Sequence, residues 1–178
     1  MFWYIDPSHS QVNFAVKHMM VSTVRGRLGR LAGRLELDPA HPEKASFEIT
    51  ADVTGIDTGD PKRDGHLRSA DFFDAERHPE LRFAAQDIRL DGDGKVSVDG
   101  ELTIKGVTKP VAVSGTVTAP MADPYGNERI GLNLTTKIDR TDFGVDWNNP
   151  LPSGEPALAN DVTILAELQF VKPGGETS

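Results

Sequence analysis

The 178-residue chain contains no cysteine. Disulfides, thiolate metal sites and thiol nucleophiles are therefore excluded. Aromatic residues make up only 7% of the sequence, which leaves few large side chains to fill an interior. Basic residues are also scarce relative to acidic ones, 19 against 27, and the formal net charge is −8. This balance argues against binding to nucleic acid or to an anionic membrane surface.

Long apolar runs are missing as well. No stretch approaches the roughly 20 apolar residues of a membrane span, and residues 1–6 lack the basic and apolar parts of a secretory signal. The sequence as written therefore predicts a cytoplasmic protein without a membrane span. No pair of histidines has a recognised metal-ligand spacing, so we expect neither a metal nor a cofactor. The length predicts one domain, residues 1–172, followed by a flexible tail, residues 173–178.

What the sequence does contain is alternation of apolar and polar residues with a period of two, which is typical of strands with one dry face. The clearest stretches are residues 12–20, 31–37, 45–53, 96–104, 111–119, 130–138 and 162–170. A change of parity near Gly29 predicts a β-bulge. Short hairpin signals between the stretches predict antiparallel order in one closed or doubled sheet. One short helix is predicted over residues 61–69, with Asp60 as N-cap and Pro61 at the first helical position. The fold class is therefore all-β.

Many of the inward positions carry small residues. They are Gly33, Ala45, Ala51, Ala85, Gly100, Gly115, Ala119 and Ala166. An eight-stranded barrel either is filled by side chains or holds one small ligand. Two interpretations follow: a hollow barrel with a narrow apolar tunnel, or a filled sandwich or twisted barrel in which small residues allow strands to pack closely.

His18 is the polar residue of greatest interest, because its parity with Val12, Phe14 and Val16 turns it inward. A buried imidazole needs a partner. His18 is then either an anchor for a ligand head group or a core histidine that bonds to a backbone carbonyl.

Arg25, Arg27, Arg30 and Arg34 could bind a phosphate or carboxylate. With the bulge in place they all point to the outer face, and this favours a solvated strand surface.

Asp64 and His66 superficially resemble a general acid and base. Residues two apart do not face each other on a helix, which favours capping and surface ion pairs.

We interpret Arg140 as a staple that pairs with Asp142 or Asp146 across a strand junction. The loop over residues 148–160 is a candidate portal because loops of this length often cover binding sites.

Several motifs occur in a fixed order along the chain. They are residues 3–6 (WYID), 9–10 (HS), 12–19 (VNFAVKHM), 63–67 (RDGHL), 71–74 (DFFD), 78–79 (HP) with Phe83, 100–111 (GELTIKGVTKPV) and 140–147 (RTDFGVDW). Together they resemble the YceI-like family of bacterial polyisoprenoid-binding proteins. The resemblance implies an extended, eight-stranded antiparallel lipocalin-like β-barrel with a hydrophobic lumen. It also implies a long-chain isoprenoid ligand of the polyprenyl phosphate or isoprenoid quinone type, bound for transport, storage or metabolism.

The resemblance further implies a carrier or storage protein rather than an enzyme. Dimers are common in the family, so a homodimer is among the expected assemblies, and many relatives are periplasmic. The alternatives are an enzyme acting on a long-chain lipid, a carrier of fatty acids or fatty amides, and an interaction module with a filled core. The residues expected to line the lumen are Phe14, Val16, His18, Met20, Leu35, Phe47, Ile49, Phe72, Phe83, Leu102, Ile104, Val113, Leu132, Leu134, Phe143, Trp147, Ile164 and Leu168.

Overall fold

The computed structural model describes residues 1–38, 40–154 and 157–173, and of Gln86 the backbone alone. The strands are β1 (Phe2–Ile5), β2 (Gln11–His18), β3 (Ser22–Arg27), β4 (Leu31–Glu36), β5 (Ser46–Asp52), β6 (Glu80–Leu90), β7 (Lys95–Ile104), β8 (Val107–Ala122), β9 (Glu128–Asp139) and β10 (Leu158–Lys172). Helix α1 spans Pro61–Arg68, and short 3₁₀ turns lie at Pro7–His9, Pro42–Lys44, Val53–Gly55 and Arg140–Phe143. Of the predicted flexible tail, only Pro173 lies within the described residues.

The sheet closes on itself. Its order is β1-β4-β5-β6-β7-β8-β9-β10, and β1 also pairs with β10. Strand β2 continues β1, because the two pair with different halves of β10. In the same way β3 and β4 form one broken strand, since β3 pairs with β2 and β4 pairs with β1. Every pairing is antiparallel. The ten segments therefore form an eight-stranded closed barrel, which confirms the predicted fold class.

The break between β3 and β4 corresponds to the parity change predicted near Gly29. Leu28 and Leu31 are both buried although three positions separate them, so the chain gains one residue between its two inward rows. An extra residue of this kind bends and coils a strand, which a closing sheet requires. The four arginines of this segment are all exposed, as predicted for the outer face.

The connection from β5 to β6 contains the helix. Asp60 caps α1, since its carboxylate accepts hydrogen bonds from the backbone amides of Lys62 at 3.0 Å and Arg63 at 3.3 Å. The predicted start is thus confirmed, and the helix ends one residue earlier than predicted. After the helix, Phe72 packs into a buried cluster with Phe143 and neighbouring apolar residues at this end of the barrel.

Three of the small inward residues mark close approaches between strands rather than empty space. A Cβ atom added at Gly33, Gly100 or Gly115 would overlap a backbone carbonyl oxygen of the adjacent strand. At Gly100 it would also meet the ring of Phe83. These glycines let the sheet coil tightly and let an aromatic ring lie over the backbone.

A network of ion pairs and hydrogen bonds stabilises the seam of the barrel, defined as the place where β1 pairs with β10. Arg129 donates from Nη1 to Asp6 at 2.7 Å and to Gln169 at 2.7 Å, and from Nε to Asp123 at 2.9 Å. Burial raises the pKa of Asp6, but hydrogen bonds from Arg129, Ser8 and His9 outweigh it and hold that pKa well below its usual range. For Asp123 the same balance, with burial opposed by hydrogen bonds, lowers the pKa to about 2.

We expect acid to weaken this seam. A carboxyl group whose pKa is depressed by folding stabilises the protein above its unfolded pKa of about 3.9, and this contribution is lost as the pH falls toward the folded pKa. The free energy of unfolding should therefore decrease between about pH 4 and pH 2, and Arg129→Gln should make that decrease shallower.

Urea unfolding at several pH values measures how steeply the free energy of unfolding falls with pH in the wild type and in the variant. Arg89→Gln, which removes an exposed ion pair with Asp99, is the control and should keep the wild-type slope. Equal slopes for all three proteins would contradict the prediction.

Candidate ligand-binding site

The barrel interior contains three apolar cavities that follow one another along the strands. The inner cavity, next to α1, has a volume of about 80 Å³, the middle cavity about 70 Å³ and the outer cavity about 330 Å³. Strand β10 passes all three, with Val162 at the inner, Ala166 at the middle and Lys172 at the outer cavity. The cavities therefore form one lumen along the barrel.

The three cavities adjoin one another, since neighbours share wall residues. Val12, Leu81 and Ile164 line both the inner and the middle cavity. Phe47 lines both the middle and the outer cavity. The ring of Phe47 lies with its centroid 5.8 Å from that of Phe83 and 6.3 Å from that of Phe170. Phe47 therefore lies where the middle and outer cavities adjoin, with its ring packed against those of Phe83 and Phe170.

Most of the predicted lumen residues line one of these cavities. Those at the inner cavity are Phe14, Val16, Phe72, Ile104 and Ile164. Those at the middle cavity are Phe47, Ile49, Phe83, Leu102, Val113, Leu134, Ile164 and Leu168. Those at the outer cavity are Leu35, Phe47 and Leu132. The structure thus brings together residues from all along the chain, and their contact with a ligand stays a prediction.

His18 and Met20 do not lie in the lumen, which corrects the expectation that they continue the inward row of β2. Both side chains are exposed, and that of Met20 is 70% exposed. Strand β2 ends at His18, and Met19 and Met20 have φ angles of 55° and 58°. Backbone in the left-handed region ends the two-residue alternation, so Met20 does not continue the inward row. His18 is the last residue of β2, and its side chain is exposed at the end of the strand.

Phe143 and Trp147 also lie outside the three cavities. Phe143 is 2% exposed and belongs to the cluster at the α1 end of the barrel. Trp147 is half-buried, with its ring centroid 4.6 Å from that of His66 and 5.4 Å from that of Phe72. Both residues support the wall behind the inner cavity instead of lining it.

Some lining residues come from positions that sequence patterns did not indicate. Leu67 and Phe73 line the inner cavity but belong to the connection between β5 and β6, where a strand period does not apply. Trp3 and Leu37 line the outer cavity. The signal for these two was present, since Trp3 begins the first motif and Leu37 continues the alternation of Leu35.

Arg140 closes the inner end of the barrel. Its side chain is buried and donates to the backbone oxygens of Val145 at 2.7 Å, Trp147 at 2.9 Å and Ala159 at 2.9 Å, with a longer contact to Leu158 at 3.4 Å. Burial lowers the pKa of the guanidinium below its ordinary value, opposed by the nearby acidic residues. The predicted staple is therefore present, but its partners are carbonyl oxygens and not carboxylates.

Asp64 and His66 have separate partners. The carboxylate of buried Asp64 accepts a hydrogen bond from the amide of Thr58 at 2.8 Å, whereas His66 Nε2 lies 2.8 Å from the carboxylate of Asp71. The portion of the chain that the structure describes contains no group of three or more acidic or histidine side chains that could hold a metal ion. Within that same portion, no helix is both long and apolar enough to cross a membrane.

A closed barrel with apolar cavities along its interior agrees with the arrangement that the family resemblance implies. The sequence profile of the YceI-like domain matches residues 3–170. The chain belongs to the YceI-like family. Among curated relatives, a UPF0312 protein of Vibrio cholerae is 33% identical over 138 residues, which cover 78% of this chain and 73% of the relative.

Solved structures of YceI-like and related proteins have the same fold. BcnA of Burkholderia cenocepacia superposes with a TM-score of 0.76 at 28% identity, over 93% of this chain and 98% of that protein. The Campylobacter jejuni YCEI protein superposes with a TM-score of 0.74 at 26% identity, over 88% and 90% of the two chains. A polyisoprenoid binding domain from Saccharophagus degradans, implicated in plant cell wall breakdown, shares the fold alone at 14% identity, with a TM-score of 0.71 over 96% and 98%.

Proposed function

We propose that this YceI-like protein binds one long-chain isoprenoid lipid in the lumen, of the isoprenoid quinone or polyprenyl phosphate type, and carries or stores it. The observation that supports this most directly is the run of three apolar cavities along the barrel. Dry apolar space of this kind leaves the empty protein poorly packed, and an apolar chain restores the missing contacts.

The shape of the lumen favours a thin, flexible chain. The inner and middle cavities are small, and the ring of Phe47 lies where the middle cavity adjoins the outer one, packed against the rings of Phe83 and Phe170. A fused-ring ligand would meet those aromatic side chains, whereas a linear chain can pass them one unit at a time. Each methylene that leaves water contributes about 0.8 kcal/mol, so a long chain gains affinity along its whole length. The name of the Saccharophagus degradans neighbour agrees with a polyisoprenoid ligand.

We propose a binding protein rather than an enzyme. The three cavities are lined mainly by apolar residues, and the acidic and histidine side chains weighed as an acid and base each bond to a different partner outside the cavities. A catalytic base must reach the proton that it abstracts. Neither Asp64 nor His66 lines any of the three cavities.

The test is to identify what the purified protein carries. Native mass spectrometry should show a bound mass, and organic extraction followed by mass spectrometry should identify a prenyl lipid at one molecule per chain. Protein that neither carries nor takes up a prenyl lipid would contradict the proposal. Recovery of fatty acids or fatty amides instead would favour the alternative carrier function, and chemical change of the lipid during incubation would favour an enzyme.

A further inference from the structure

The turn between β2 and β3 exposes three consecutive apolar residues, which together form the apolar tip. Met19, Met20 and Val21 are 47%, 70% and 86% exposed, respectively. Exposed apolar side chains are ordinary where they are scattered singly, whereas a contiguous group indicates an interaction surface.

The backbone of the apolar tip is one that methionine rarely adopts. Met19 and Met20 are the central residues of a turn in which the amide of Val21 donates to the carbonyl oxygen of His18 at 3.2 Å. Both have positive φ angles, an arrangement typical of type I′ hairpin turns, where asparagine and glycine are favoured. Both side chains are exposed, so burial does not compensate for this unfavourable backbone. Residues held in such conformations concentrate at functional sites.

The apolar tip lies at the inner-cavity end of the lumen. Leu158 lines the inner cavity and pairs with His18, the residue that precedes the tip. The amide of Met19 also donates to the carbonyl oxygen of Ala157 at 2.6 Å. A partner that contacts the tip therefore lies next to this end of the barrel.

Charge is distributed unevenly along the chain, and the basic part contains the apolar tip. Residues 7–35 include five lysines and arginines and no acidic residue, although the whole chain has a formal net charge of −8. The register of β2 with β3 places Lys17 and Arg25 on the outer face of the hairpin, where both are exposed. Neither forms an ion pair with another of the described residues.

The local charge beside the tip is positive. On the neighbouring strand β10, Asp161 lies between the residues that pair with β2 at this end, so Lys17 and Arg25 outnumber one carboxylate. Exposed charges farther away than about 8 Å are largely screened at physiological ionic strength. A surface that meets the tip therefore senses these cations more strongly than the net charge of the chain.

The size of the apolar tip favours a lipid bilayer over another protein. A stable protein interface buries about 800 Å² on each partner, which is more than three partly exposed side chains provide. The interface of a bilayer instead accepts a few apolar side chains below the head groups, and anionic lipids attract the cations beside them.

We propose that the apolar tip inserts into the interface of an anionic lipid bilayer, with Lys17 and Arg25 beside the lipid phosphates. This contact brings the inner-cavity end of the barrel to the membrane. The inference goes beyond the proposed function, since it holds whichever lipid the lumen carries.

The experiment measures flotation of the full chain with vesicles of phosphatidylcholine alone and of equal parts phosphatidylcholine and phosphatidylglycerol. The test variant combines Met19→Asn with Met20→Gly, which removes both apolar side chains and supplies the residues that a type I′ turn favours. We expect the wild type to bind the anionic vesicles about fivefold more tightly than the neutral ones. The double variant should bind both at least about tenfold more weakly, while its urea midpoint equals or exceeds that of the wild type.

Met121→Asn is the matched control, because Met121 is 63% exposed and lies at the opposite end of the barrel, next to Arg129. It should bind vesicles as the wild type does. Equal binding by the wild type and the double variant would overturn the proposal, and equal affinity for the two vesicle compositions would overturn the role of the cations.

Two further results would also overturn the proposal. A wild type that binds neither kind of vesicle has no such contact, and this result leaves the proposed function untouched, since a bound lipid mass tests that separately. Sedimentation that shows a wild-type dimer and a monomeric double variant would assign the apolar tip to a contact between two copies of the chain.

Discussion

Ala166→Phe is expected to weaken the binding of a long-chain isoprenoid at least about a hundredfold. Ala166 lies on β10 between Ile164 and Leu168 and lines the middle cavity. A phenyl ring there occupies the middle cavity, the smallest of the three, so the tail can no longer pass from the outer to the inner cavity. If four chain carbons lose their burial at about 0.8 kcal/mol each, the cost is about 3 kcal/mol, which corresponds to more than a hundredfold in Kd.

The neighbouring residue provides the control. Leu165 points outward and is 48% exposed, so Leu165→Phe adds an aromatic ring to the other face of the same strand. Its affinity should equal that of the wild type. An apolar ligand short enough to fit in the outer cavity alone should bind Ala166→Phe as it binds the wild type. The expectation fails if the long lipid binds Ala166→Phe with unchanged affinity, because the middle cavity would then not lie on the path of the ligand.

Gly115→Ala is expected to lower the free energy of unfolding by about 3 kcal/mol, at the upper end of overpacking effects. Gly115 lies on β8 opposite Val96 of β7 and Leu134 of β9. A methyl group at this position would overlap the carbonyl oxygen of Asn133 and touch the Cα of Leu134 at 3.0 Å. Both contacts are with backbone, so the two strands must separate to accommodate it. Urea unfolding followed by circular dichroism measures the loss.

Gly92→Ala is the matched control for this substitution. Gly92 lies in the turn between β6 and β7, and a Cβ atom there meets no other heavy atom within 4 Å. Its stability should stay within about 0.5 kcal/mol of the wild type, as for most surface substitutions. Comparable stability for the two variants would show that β8 and β9 do not approach as closely as the structure indicates.

The fold could be predicted because its determinants are local. Alternation with a period of two identifies strands from neighbouring residues alone, and a one-residue change of parity at Gly29 marks the break between β3 and β4. The cap at Asp60 is likewise a local signal, since its carboxylate bonds to amides two and three residues away. The family motifs added the number of strands and the closure of the barrel.

Two details of the site could not be read in this way. The inward position of His18 was predicted from strand parity, but His18 is the last residue of β2 and its side chain is exposed at the end of the strand, where the backbone turns. The glycines in the inward rows indicated either empty space or close packing, and the structure shows close packing at Gly100 and Gly115. In both cases the deciding atoms belong to a turn or to another strand.

The sequence by itself determined the all-β fold class, the start of the helix, the outward row of arginines and most of the residues that face the lumen. These depend on spacing and side-chain chemistry within one segment. Only the tertiary structure decided that the lumen consists of three adjoining cavities, that Arg140 bonds to carbonyl oxygens, and that the N–H of Trp3 has no hydrogen-bond acceptor in the described residues. Those properties depend on which atoms of distant strands meet when the barrel closes.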